Sequence, residues 1–98
     1  MMTLHVINKT PSESSALQDS LSAISDGDAL LLIENGVYAA VPAYAEHFTR
    51  LPKAVQCYLL KDDAQARGLH DLNQDFGAID YNGFVELSCR YHKVVSWF

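Results

Sequence analysis

Asp26-Gly27-Asp28-Ala29-Leu30-Leu31-Leu32-Ile33-Glu34-Asn35-Gly36 decides the fold. Two turn signals, Asp-Gly-Asp and Glu-Asn-Gly, bracket the unbroken apolar run from Ala29 to Ile33. That run has the length of a strand and shows no polar alternation. A strand of this kind is covered on both faces, as in a parallel sheet flanked by helices.

The flanking sequence supplies the rest of such a sheet. Upstream, Thr3 to Asn8 is β-rich through Leu4, Val6 and Ile7 and reads as a first strand. A turn at Asn8-Lys9-Thr10-Pro11 leads to a helix capped by Ser12 or Ser14, with Leu17, Leu21 and Ile24 on one stripe and an end near Ser25. Downstream, Val37 to Val41 predicts a short helical turn, and a second helix runs over about Tyr44 to Arg50 until Pro52 stops it. Ala54 to Leu60 is the next strand. Asp62 or Asp63 is expected to cap a short helix that Gly68 ends at the C′ position. His70 to Asp75 is loop, and Gly77 to Ile79 is a minimal strand. Asp80 or Asn82 caps a helix with Phe84, Leu87 and Tyr91 on one face, and Lys93 to Phe98 closes as a strand. Strand and helix thus alternate about four times before a final strand. The expected class is α/β: a single-domain, three-layer α/β/α arrangement over residues 1–98, with a mostly parallel sheet of about five strands.

Composition narrows the function classes. The 98 residues are 49% apolar, too high for a disordered chain. No run approaches the ~18 apolar residues of a membrane span, and the N-terminus has no signal-peptide pattern, so the expected compartment is the cytoplasm. Net charge is −5, and the seven basic residues are scattered. Phosphate-backbone binding relies on clustered cations, so direct nucleic-acid binding is not expected.

In open α/β sheets, ligands sit outside the carboxyl ends of the strands. Those ends are Asn8-Lys9-Thr10, Glu34-Asn35-Gly36, Lys61-Asp62-Asp63 and Asp80-Tyr81. None contains a cysteine. The chain also lacks a Gly-rich phosphate loop and a GxSxG nucleophile elbow. Cys57, in the middle of an apolar strand, reads as an inert core thiol. Cys89 falls about 140° from Phe84 around the last helix, off its apolar stripe, and is the secondary candidate for a sulfur carrier. The cysteines lie too far apart for a CxxC pair, and a disulfide between them is not expected in the cytoplasm. His5, His47, His70 and His92 match no metal-site spacing, and His5 reads as a hydrogen-bonded structural residue. No metal, cofactor or catalytic residue is expected. Trp97 and Phe98 point to opposite faces of a terminal strand, so at least one is a candidate for a partner interface.

Several stretches together resemble the TusB/DsrH family. They are Leu4-His5-Val6-Ile7-Asn8-Lys9-Thr10-Pro11, the Asp26–Ala40 segment that includes Tyr38, Ala66-Arg67-Gly68-Leu69, Asp80-Tyr81, and the terminal Trp97-Phe98. The resemblance spans the chain in order. It implies a DsrEFH-like fold and a heterohexamer with TusC-like and TusD-like subunits, two copies of each. Such a complex takes persulfide sulfur from a small carrier protein and passes it on towards 2-thiolation of the transfer-RNA wobble uridine, and the resemblance implies carriers of TusA and TusE type as its partners. The principal sulfur-accepting cysteine belongs to the TusD-type subunit. DsrH-type members of sulfur oxidisers carry a cysteine in the first helix, where this chain has Ser20, expected to be partly exposed on the helix flank. A hydroxyl cannot hold a persulfide, so the resemblance implies a supporting, non-catalytic subunit. Tyr38, Trp97 and Phe98 are its interface candidates. Two alternatives stay open: a persulfide carrier acting through Cys89, and a homo-oligomeric module that binds a small molecule. Expressed without partners, the chain is expected to form a substitute homo-oligomer through exposed apolar surface.

Overall fold

A computed structural model describes residues 2–98. Its five strands are β1 (Thr3–Ile7), β2 (Ala29–Leu32), β3 (Gln56–Leu60), β4 (Phe76–Ile79) and β5 (Lys93–Trp97). They form one sheet in the order β4-β3-β2-β1-β5. Every neighbouring pair is parallel. Helices α1 (Ala16–Ala23), α2 (Lys61–Ala66) and α3 (Tyr81–Arg90) and two successive 3₁₀ helices, Glu34–Ala40 and Pro42–Phe48, connect the strands.

The strand order dictates the layers. The connections from β1 to β2, β3 and β4 all step in one direction, so right-handed crossovers place them on one face. The connection from β4 to β5 returns across the whole sheet, which puts α3 on the opposite face. The side chains follow this division. Leu17 of α1, Val37 and Ala40 of the first 3₁₀ helix and Ala64 of α2 pack with Ile7, Leu30, Leu32, Leu59 and Phe76. Leu87 of α3, supported by Phe84 and Tyr91, packs with Leu4, Val6, Ala29 and Leu31. All four residues of β2 are fully buried, because that strand is central and covered on both faces.

Five sequence expectations need correction. The N-cap of α1 is Ser15, not Ser12 or Ser14. The apolar run feeds a 3₁₀ helix beginning at Glu34 itself, not a break followed by a turn at Val37. The helix expected over Tyr44 to Arg50 is a 3₁₀ segment that starts at Pro42, which lacks the N–H needed to continue the preceding turns. Helix α2 starts directly at the end of β3 with Leu60 at its N-cap, so neither Asp62 nor Asp63 caps it. Finally, α1 is rolled relative to its leucine stripe. Ala16, Leu17 and Ser20 are its buried residues, whereas Leu21 and Ile24 are only half-buried. Small side chains at positions 16 and 20 let the helix approach the sheet closely on that side.

Other local signals hold. Gly68 follows the C-cap of α2 at φ +64°, and Leu69 N–H donates to the Ala64 carbonyl. Asp80 caps α3, its Oδ1 accepting from Gly83 N–H at 2.8 Å.

Candidate functional site

The carboxyl ends of β1 and β2 open onto a hollow of about 440 Å³, lined by Thr10, Ser12, Glu13, Asn35, Tyr38 and Tyr44 among others. The Glu34–Ala40 turns form one wall. They are fixed from α2: the Asp63 carboxylate accepts from Glu34 N–H at 2.6 Å, and Arg67 Nε donates to Asn35 Oδ1 at 3.0 Å. Arg67 also donates through Nη1 to the Asp63 carbonyl at 3.0 Å. The sequence offered Asp62 or Asp63 as a helix cap; the structure uses Asp63 to tether the neighbouring loop. Tyr38 is half-buried in this wall and lines the hollow. Among the described residues, no thiol and no cationic side chain lines the space.

Neither cysteine approaches that rim. Cys57 is half-buried rather than fully enclosed, because β3 begins beside an open hollow lined by Phe48, Lys53, Val55, Asp75 and Phe76. Burial, with a smaller push from the Asp75 carboxylate, raises its thiol to about 11. Cys89 is exposed on α3, in a shallow hollow with Tyr81, Phe84, Val85 and Ser88, none of them charged. Tyr81, Val85 and Cys89 are spaced i, i+4, i+8 and form an exposed stripe along that helix.

Ser20 departs from expectation. It is fully buried, and its hydroxyl donates to the Leu17 carbonyl at 2.7 Å. The roll of α1 turns this position towards the sheet, away from solvent. A group there does not face a carrier protein.

The end of the chain is anchored and exposed at once. Trp97 is half-buried, packing against the Ile7–Leu17 side of the core, and its indole Nε1 donates to His5 Nδ1 at 3.1 Å. Phe98 is 67% exposed. The two interface candidates therefore separate: Trp97 is largely an intramolecular anchor, and Phe98 is free. Both line a hollow of about 230 Å³ beside Ser14, Ser15 and Asp19 at the start of α1.

The buried polar centre lies under this end. His5 Nε2 is 3.0 Å from Asp28 Oδ2, with both residues under 5% exposed. Asp28 also accepts from Thr3 N–H at 2.9 Å and Ser25 N–H at 3.0 Å. Burial alone would raise its carboxyl, but the His5 ring and the two amides hold it below the ordinary carboxylate value. The sequence predicts a bonded His5 and treats Asp28 only as a turn residue. A lone acid abutting an unbroken apolar run was the available signal, since an acid at such a position is buried only with partners. Among the described residues, no group of three His, Cys, Asp or Glu side chains is arranged to hold a metal ion. No described helix is long and apolar enough to cross a membrane.

A wholly parallel five-stranded sheet with one helix returning across its second face defines a class of small α/β proteins. The ychN protein of Escherichia coli shares this fold, with a TM-score of 0.75, 18% identity, and 98% of this chain and 99% of that chain covered. So does Tm0979 of Thermotoga maritima, with a TM-score of 0.66, 24% identity, and 91% and 93% coverage. Within that class the chain belongs to the DsrH-like protein family, whose profile matches residues 9–94. It is 33% identical to Protein TusB of Pectobacterium parmentieri over 96% of this chain and 99% of that one. It is 35% identical to Protein TusB of Escherichia coli O81, with the same coverage.

Proposed function

We propose that this chain is the TusB-type subunit of a TusBCD-like sulfur-relay complex, acting as one unit over residues 1–98 in the cytoplasm. The observation that carries this reading is the family match along nearly the whole chain, at 33–35% identity to proteins named TusB. The chain contributes structure and docking surface, and persulfide sulfur travels on other subunits towards 2-thiolation of the wobble uridine.

The placement of the thiols supports the non-catalytic part. A persulfide carrier needs a thiolate that a donor can reach. Cys57 holds its proton well above neutral pH, and position 20 is a buried serine. The partners in this reading are TusC-like and TusD-like subunits in a heterohexamer, served by TusA-type and TusE-type carriers. Tyr38 and Phe98, with the outer part of Trp97, supply contact surface to them.

Co-expression with the TusC-type and TusD-type subunits of the same organism tests the assembly. The three chains should co-elute, and a chain that stays apart as a stable homo-oligomer overturns the proposal. The chemistry is tested by loading the complex with labelled persulfide sulfur and locating the label by mass spectrometry. Label on Cys89, with transfer abolished by Cys89→Ser, would establish the carrier alternative instead. In cells lacking this chain, wobble-uridine 2-thiolation should fall and return when the gene is restored.

A further inference from the structure

The His5 ring sits between an obligate donor and a carboxylate. An indole N–H donates and never accepts, so the 3.1 Å contact from Trp97 Nε1 requires His5 Nδ1 to carry a lone pair and no proton. The ring hydrogen then lies on Nε2 and is donated to Asp28 Oδ2 at 3.0 Å. The remaining partners of Asp28 are backbone amides, which cannot rearrange to relieve a change at the ring. The ring is 3% exposed and stacks at 22° on the indole, with centroids 6.1 Å apart. A proton arriving at Nδ1 would set one N–H against another at 3.1 Å, too close for a water to bridge them.

We propose that the end of β5 is a proton-gated latch: neutral His5 holds Trp97 against the sheet, and protonation of Nδ1 releases Trp97 together with Phe98. The proton comes from solvent hydronium, which leaves as water, and the one bond formed on the protein is Nδ1–H. The imidazolium keeps Asp28, which becomes its ion-pair partner, so the gate opens at Trp97 and leaves the other side of the ring closed. The surrounding charged and titratable groups are few. Asp28 precedes β2 and stays ionised through the neutral range, held down by its hydrogen bonds. Asp19 on α1 is exposed, accepts from Ser15, and lines the hollow beside Trp97. Lys93 on β5 is exposed opposite Thr3. Tyr91, at the end of α3, has its phenol raised by burial and lies with the opposite face of the sheet, followed by exposed His92. Among the charged and titratable groups of the described residues, Asp28 alone is bonded to the ring, and Trp97 holds its other nitrogen.

Linkage makes the device reciprocal. If protonation weakens Trp97 docking, drawing Trp97 out must favour proton uptake by His5. A protein that captures the Trp97-Phe98 end would therefore bind more tightly at lower pH.

Trp97 is the only tryptophan, so its fluorescence reports the latch directly. The full chain is titrated from about pH 8 to about pH 5, the span in which imidazoles change charge. Emission maximum and acrylamide quenching are followed with far-UV circular dichroism, and His5 Nδ1 is followed by nitrogen NMR. The expected result is a red shift and increased quenching that track Nδ1 protonation while the dichroism is constant. His5→Gln keeps an acceptor for the indole and cannot take up the proton, so its emission should be flat over the same range. Should that variant fail to fold, the Trp97 Nε1–H resonance of the unaltered chain decides, since it must move with Nδ1 protonation. The proposal is overturned if Nδ1 protonates while Trp97 emission stays constant. It is equally overturned if His5 stays neutral until the chain unfolds, or if His5→Gln retains the transition.

Discussion

Gly36 lies directly on the Ile7 carbonyl, so close that a Cβ at position 36 would overlap the oxygen. Here the Glu34–Ala40 turns are pressed onto the end of β1, and Ile33 N–H donates to that same carbonyl at 2.9 Å. Only a residue without a side chain permits this approach. Gly36→Ala should therefore destabilise the fold by about 2–4 kcal/mol, since backbone rather than a flexible side chain must move. A lowered urea midpoint with unchanged m-value would register it, and a midpoint equal to that of the parent would refute the close contact.

Asp28 offers a pH-dependent counterpart. Its folded-state carboxyl lies below the ordinary value, so its hydrogen bonds stabilise the fold fully above about pH 4 and lose that effect as pH falls further. Asp28→Ala strands three donors, from His5, Thr3 and Ser25, in a buried site. The expected loss is about 3 kcal/mol or more near neutrality. The gap between variant and parent should narrow in acid, as measured by urea titrations at several pH values.

The two thiols should react very differently. With the Cys57 thiol raised to about 11, only about one molecule in a thousand carries its thiolate at pH 8. Cys89 is exposed. A thiol reagent should modify one cysteine promptly in the native chain and the second only on unfolding, and Cys89→Ser should abolish the prompt phase. Ser20→Cys should add no prompt phase, because position 20 is fully buried.

Arg67 ties the end of α2 to the rim of the hollow beside β1 and β2 through Asn35, and its guanidinium is steadied by the Asp63 carbonyl of the same helix. Both bonds lie at or near the surface, so Arg67→Ala should cost only about 1 kcal/mol globally. Its larger effect should be local. Hydrogen exchange of the backbone amides in residues 34–40 should quicken while that of β2 is unchanged.

The sheet was legible because its central strands carry their burial in composition. Ala29 to Leu32 needs no partner to identify it as covered on both faces. The helix caps were legible where the signal is local, as at Asp80 and Gly68. The roll of α1 was not. Leu17, Leu21 and Ile24 mark the most apolar stripe, whereas the face that meets the sheet is chosen by how closely Ala16 and Ser20 allow approach. Asp63 was misassigned for a related reason: its carboxylate finds Glu34, 29 positions earlier, and no local spacing reveals that pairing. The His5–Asp28–Trp97 centre joins residues 23 and 92 positions apart, so the sequence pointed to a bonded histidine without naming its partners.

The strand beside β1 on its outer side is the last of the five along the chain, and its register sets Thr3 against Lys93. Until that pairing forms, β1 has one bare row of amides and carbonyls, a template for any extended peptide. Closing it requires contacts between strands far apart in sequence, Thr3 against Lys93, and such non-local pairing slows assembly. A growing chain is thus exposed to mispairing until β5 has been made, and deleting Lys93–Trp97 would make that exposure permanent.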